Sequence, residues 1–171
     1  GVYRARLIAT LPRGEFTRWC DRRAEHSILF VVRAAEPGTT APILMQLCTN
    51  TYAAYNFWGG RSLYAYHSKE RLRASRVSLN RPGLGYYGHS TFAHWERQFV
   101  EWAEKREIAL EYACNYDLEA HPEILGRYRL IIGVGHDEYW SGPMRENAEA
   151  FTAAGGNFAL FSGNSVSWQV R

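Results

Sequence analysis

The sequence predicts an α/β fold with a doubly wound, mainly parallel sheet, and three observations predict it. Residues 43–48 and 130–134 are short, almost wholly apolar runs, as strands covered on both faces require. Residues 94–106 and 143–154 repeat apolar side chains at helical spacing. The second apolar run stops at Gly135-His136-Asp137-Glu138, so charged groups stand where a buried strand emerges, the place where open α/β sheets hold ligands. Strands alternating with helices imply right-handed crossovers, which bring 48–55, 135–138 and 162–164 to one sheet edge.

Apolar Val2, Ala5 and Leu7 recur along residues 1–11, which read as a strand closed by Pro12-Arg13-Gly14. A second strand over 27–33 ends at Glu36-Pro37-Gly38. We assign 1–38 to a β segment, either the end of a preceding β domain or an edge hairpin. Residues 39–171 are the α/β domain. After the strand at 43–48, residues 49–60 read as a strand end bearing aromatic hydroxyls. Residues 61–90 are irregular, with Asn80-Arg81-Pro82-Gly83-Leu84-Gly85 as the clearest breaker. The helix at 94–106 is expected to face the core with Trp95, Phe99 and Trp102, spaced i, i+4, i+7. A strand at 109–114, a short turn and helix around 122–125, and a central strand at 129–134 follow. The helix at 143–154 should bury Met144, Ala148 and Phe151 and end at Gly155-Gly156, a left-handed cap signal. A strand at 157–161 is tipped by Ser162-Gly163-Asn164.

At 171 residues and 46% hydrophobic, the chain can bury one core of ordinary size. No apolar stretch approaches the roughly 18 residues of a membrane span, so no membrane partner is expected. The charge of +3 comes from 20 basic and 17 acidic residues, interspersed except for a basic stretch at 69–81. That stretch accompanies no nucleic-acid motif, so it reads as a solvated loop and nucleic acid is not expected. Cys20, Cys48 and Cys114 are far apart without a CxxC pair, which points to free thiols and a reducing, cytoplasmic setting. No signal peptide stands at Gly1. The chain begins without Met and ends at Arg171 just after a strand-like run, so a piece of a longer protein, truncated at its C-terminus, is expected.

Side chains alternate along a strand, so His136 and Glu138 share a face and Asp137 opposes them if the extended chain continues that far. Glu138 is a candidate ionised ligand, His136 a base or ligand, Asn164 an amide donor, and Tyr55 a phenol within reach of a cation. Phenols have an unperturbed pKa near ~10, so a phenolate at neutral pH needs a strongly charged neighbour such as a ferric ion. Carboxylate and phenolate oxygens favour a hard cation. Blander readings stand beside these: Tyr55 and Trp58 as packing next to Gly59-Gly60, and Asp137-Glu138 as charge at the start of the helix near Pro143. His26, His67, His89, His94 and His121 read as surface or core residues. Gly133-x-Gly135 lacks the remaining glycine of a dinucleotide fingerprint, and neither a P-loop nor a G-x-S-x-G elbow is present. With no cysteine at the tip of the central strand, covalent acyl transfer is disfavoured.

Three strings carry a resemblance. Ala54-Tyr55-Asn56-Phe57-Trp58-Gly59-Gly60-Arg61-Ser62-Leu63-Tyr64, Gly135-His136-Asp137-Glu138-Tyr139-Trp140-Ser141, and Ser162-Gly163-Asn164 with Trp168-Gln169-Val170-Arg171 resemble the large (beta) subunit of N,N-dimethylformamidase and its relatives. The resemblance runs from about Pro42 onward. It implies a glutamine-amidotransferase-like (flavodoxin-like) three-layer α/β domain in a longer polypeptide, holding one mononuclear non-haem ferric iron through two tyrosines and one glutamate. Glu138 matches the glutamate ligand, Tyr55 resembles one tyrosine ligand, and His136 and Asn164 match substrate-contacting or supporting positions. Relatives carry an Arg-Pro-Tyr-like segment where this chain reads Arg81-Pro82-Gly83-Leu84-Gly85-Tyr86-Tyr87, so Tyr87, or its neighbour Tyr86, takes the second tyrosine's place.

The implied activity is metal-assisted hydrolysis of a small amide. Tyr52, Phe57 and Trp58 are expected to form an aromatic wall, and a small partner subunit and a homo-oligomer are compatible with it. Two other readings are a non-catalytic or carbohydrate-related binding module on the same fold, and a hydrolase using zinc through His136 and Glu138.

Overall fold

A computed structural model describes residues 1–11, 23–83 and 91–171. The turn expected at Pro12-Arg13-Gly14, and Tyr86 and Tyr87, lie outside the described residues. Strands β1 (Val2–Thr10) and β2 (Arg23–Val31) pair antiparallel, with Val2 opposite Val31 and Thr10 opposite Arg23. The second strand therefore begins four residues before its expected start, because its exposed first half is held by cross-strand partners. Arg6 binds Glu25 through two hydrogen bonds of 2.8 and 2.9 Å.

A four-stranded parallel sheet forms the centre. It contains β3 (Ile43–Leu47), β4 (Glu111–Cys114), β5 (Leu130–His136) and β7 (Asn157–Gly163), in the order β4-β3-β5-β7. Between β5 and β7 the chain makes a short strand β6 (Tyr139–Ser141), parallel to β8 (Trp168–Val170). The helices are α1 (Thr49–Tyr55), α2 (Glu96–Lys105), α3 (Asn115–Ala120) and α4 (Gly142–Ala153). The mixed α/β class and the parallel sheet thus agree with the sequence reading. Among the described residues, no helix is long and apolar enough to cross a membrane.

Strand alternation sorts the core into two layers. Leu44, Ala113 and Ile131 face one side, with Leu118, Leu125, Met144 and Phe151. Their sequence neighbours Met45, Tyr112 and Ile132 face the other, with Leu47, Cys48, Tyr52 and Val100. Val2, Leu29 and Val31 of the hairpin pack against this second layer. Each fully buried Leu, Ile or Met contributes roughly 1.5–3 kcal/mol, so both faces need cover and the strands read as continuous apolar runs.

Two expectations are corrected. Residues 49–55 form a helix rather than a strand end: the short side chains of Thr49, Thr51, Ala53 and Ala54 let this segment turn back against the sheet and bury. Of the aromatic stripe of α2, only Phe99 packs against the core, half-buried; the two tryptophans do not. Trp95 is 50% exposed and Trp102 47%, whereas Glu96, Val100 and Ala103 are buried. Both sets share the i, i+4, i+7 spacing, one residue apart; the sheet takes the set whose small members permit close approach. Helix α4 starts as expected, with the Ser141 hydroxyl accepting the Met144 N–H at 3.2 Å. It ends before Gly155, whose φ is +94°.

Candidate active site

The carboxyl end of β5 is shaped by two glycines. At Gly135 φ is +98°, and a Cβ there would lie 2.5 Å from the Cβ of Trp95, so the start of α2 can approach the strand. A Cβ at Gly133 would lie 3.0 Å from the Gln46 amide nitrogen and 2.8 Å from Leu160. That space is taken by a buried polar network. The Gln46 amide donates to the Asp137 carboxylate, and the Asn115 amide donates to Gln46 Oε1 at 2.6 Å and to Asp137 at 3.4 Å. The Asp137 N–H donates to Ser162 Oγ at 2.8 Å. Burial raises the Asp137 pKa, against the hydrogen bonds its carboxylate accepts.

Asp137 anchored inward leaves its neighbours facing the opposite side, the division that alternation predicts. The backbone N–H groups of Glu138 and Tyr139 both donate to the Thr51 hydroxyl, at 3.0 and 3.3 Å. Helix α1 therefore holds the segment that carries Glu138. The same helix supplies Tyr55, whose hydroxyl donates to Glu138 Oε2 at 2.7 Å. His136 Nε2 lies 3.0 Å from the same oxygen, so the Nε2–H tautomer donates to it. Burial, then the hydrogen bond to Glu138 and its charge, raise the Tyr55 pKa far above the ordinary phenol value. Neither Asp137 nor Glu138 caps α4; Ser141 does that.

Aromatic rings enclose the Tyr55 ring: Tyr64 at 5.1 Å between centroids, His136 at 5.7 Å, His67 at 5.9 Å and Tyr139 at 6.0 Å. Phe57 meets His67 at 5.7 Å. The wall expected from Tyr52, Phe57 and Trp58 is thus different. Tyr52 points into the interior and donates to the buried Glu96, while Trp58 is exposed. Tyr64, His67 and Tyr139 border Tyr55 instead, while the bond to Glu96 holds Tyr52 within the second core layer. Burial and the Glu138 charge push the Tyr139 phenol up to about 12, with Arg73 opposing.

Tyr55, His136 and Glu138 therefore meet at one point. Asn164 stands at the same sheet edge, one residue after Gly163, which pairs with His136, but it is exposed. The second tyrosine, Tyr87 or Tyr86, lies outside the described residues. Sequence reasoning missed Thr51, Gln46 and Asn115, buried polar residues of which Gln46 and Asn115 meet across 69 positions of the chain and Thr51 meets Glu138 across 87. Tyr64 and Tyr139 fell inside the quoted strings without being singled out.

Tyr55 and Glu138 present oxygens 2.7 Å apart from two elements, a donor set of hard oxygens. Among the described residues no group of three or more His, Cys, Asp and Glu is spaced to hold a metal, so a zinc set built on His136 and Glu138 needs a further donor. The family model described as N,N-dimethylformamidase beta subunit-like, C-terminal, matches residues 1–171. No curated protein matches the chain.

Proposed function

We propose, for a chain that belongs to the N,N-dimethylformamidase beta subunit-like family, that Tyr55, Glu138 and His136 are the working part of an iron-dependent hydrolase of small amides. One observation carries the reading: a phenol from α1 and a carboxylate from the end of β5, 83 residues apart in sequence, are in direct hydrogen-bond contact. Tyr55 and Glu138, with Tyr87 or its neighbour Tyr86, would hold the metal. A ferric ion there would polarise the amide carbonyl and acidify water.

The chain's own groups manage the protons. The Tyr55 hydroxyl and the His136 Nε2–H both donate to Glu138 Oε2, so one carboxylate oxygen links the phenol and the imidazole. In hydrolysis the water oxygen bonds to the acyl carbon, the C–N bond breaks, and the amine nitrogen gains a proton. In this reading His136 moves that proton, and Asn164 donates to the developing oxyanion. Tyr64, His67 and Tyr139 border the Tyr55 ring and would form one wall for a bound amide. The resemblance further supports a glutamine-amidotransferase-like domain over 39–171 and a small partner subunit, in keeping with the family's beta subunit-like description, while the strand and turn signals support a β segment over 1–38 and the dispersed cysteines a cytoplasmic setting.

Metal analysis and absorption spectroscopy of the full-length protein test this. Near-stoichiometric iron and a visible tyrosinate-to-iron band are expected, both lost in Glu138→Ala, with the band lost or shifted in Tyr55→Phe. Colourless, iron-free protein that hydrolyses amides would replace iron by zinc. Inactive protein that takes up no metal would leave a binding module.

A further inference from the structure

We propose that Arg73 receives a carboxylate on the substrate, so that the site prefers anionic amides over neutral ones; this rests on the amidohydrolase reading. Two segments bring Arg73 to the rim. Leu63 packs with Ala54, Tyr55 and Tyr139 beside Glu138. The Ala74 N–H donates to the Ser62 carbonyl at 2.7 Å, and the Ser62 N–H to Ser68 Oγ at 3.0 Å. Residues 73–74 therefore lie alongside 62–63, next to the aromatic wall. Tyr139, whose ring is 6.0 Å from that of Tyr55, belongs to the same apolar cluster as Leu63.

The loop around Arg73 has few anions of its own. Residues 61–83 contain six Lys and Arg and a single carboxylate, Glu70, which pairs with Arg61 at 3.7 Å. Arg71 lies over the Tyr66 ring at 4.9 Å, and Arg81 donates to the carbonyls of Asn56 and Arg61 at 2.6 and 2.7 Å. Among the described residues no ion pair engages Arg73. The preceding turn is strained, with φ of 59° at Glu70 and 54° at Arg71. Side chains hold such values where the surroundings fix them. One exposed guanidinium offers a planar fork of N–H donors, which matches the two oxygens of a carboxylate.

The test uses the metal-loaded full-length protein and two probes sharing one acyl group, N-formylglycine and neutral N-methylformamide. Each gives formate and an amine: water supplies the new C–O bond and the proton that the amine nitrogen gains as C–N breaks. We expect kcat/KM at least about tenfold higher for N-formylglycine. Arg73→Gln should cut the ratio between the two probes about tenfold, chiefly through KM, and Arg73→Lys should restore part of it. Equal turnover of both probes, or a ratio unmoved by Arg73→Gln, overturns the proposal while leaving the amidohydrolase reading intact. If neither probe is hydrolysed, calorimetry of N-formylglycine binding separates the two ideas. Binding that Arg73→Gln weakens about tenfold keeps the carboxylate site and overturns the enzyme, whereas no Arg73-dependent binding overturns the site.

Discussion

Asp137 and Glu138 are adjacent acids with opposite surroundings, and the difference lies in what each oxygen meets. Asp137 is fully buried and accepts hydrogen bonds from the Gln46 and Asn115 amides; Glu138 accepts one from the Tyr55 hydroxyl. Asp137→Ala would strand two buried donors and open a cavity, so a loss of about 3 kcal/mol in denaturant-unfolding stability is expected. An unchanged midpoint would contradict the network. Thr51→Val removes the acceptor of two buried N–H groups at nearly constant volume. It should cost about 2 kcal/mol and, under the proposed iron-dependent function, weaken iron uptake by the full-length protein, measured by metal analysis.

At the scale of elements, α2 shows how two stripes of identical spacing compete. If Trp102 faced the core, truncating it would cost roughly 3–5 kcal/mol. With its side chain at the surface, Trp102→Ala is expected to cost under about 1 kcal/mol, while Ala103→Leu, forced into the sheet, should cost about 2 kcal/mol. Thermal unfolding of the two variants checks the assignment, and the reverse ranking would refute it. Helix α4 depends on the Ser141 cap, which also donates to Glu119 at 2.6 Å. Its replacement by Ala is accordingly expected to cost about 1 kcal/mol.

Across the whole molecule, Glu111 ties the crossover before β3 to β4 and to the segment before β5. Burial works to raise its pKa. Hydrogen bonds from Tyr128 at 2.6 Å, Thr40 Oγ1 at 2.7 Å and the N–H groups of Gly38 and Thr40 at 2.8 Å outweigh that effect and bring it down to about 2. The folded value lies below the unfolded one, so the stabilisation is complete above about pH 4.5 and is lost as pH falls towards 2. Its size is on the order of 2 kcal/mol after screening by solvent. Unfolding of Glu111→Gln followed from pH 7 to 2 should show a flatter acid limb than the wild type; parallel limbs would remove Glu111 from the account. The outer edge of β7 pairs with no strand among the described residues and carries Phe161, 63% exposed. Phe161→Lys is expected to reduce concentration-dependent association of the 171-residue chain in light scattering.

The amino-acid order alone determined the parallel strands, because apolar runs of five to seven residues bounded by polar groups admit few other positions than the centre of a two-sided sheet. It also determined that His136 and Glu138 share a face, since side-chain alternation is a local property of the backbone. Which stripe of α2 is buried, that residues 49–55 coil into a helix, and that Tyr55 meets Glu138 while Tyr52 does not were decided by tertiary structure. Those outcomes depend on close approach at Gly133 and Gly135 and on hydrogen bonds such as Thr51 to Glu138, 87 residues apart, whose partners no local window of sequence contains.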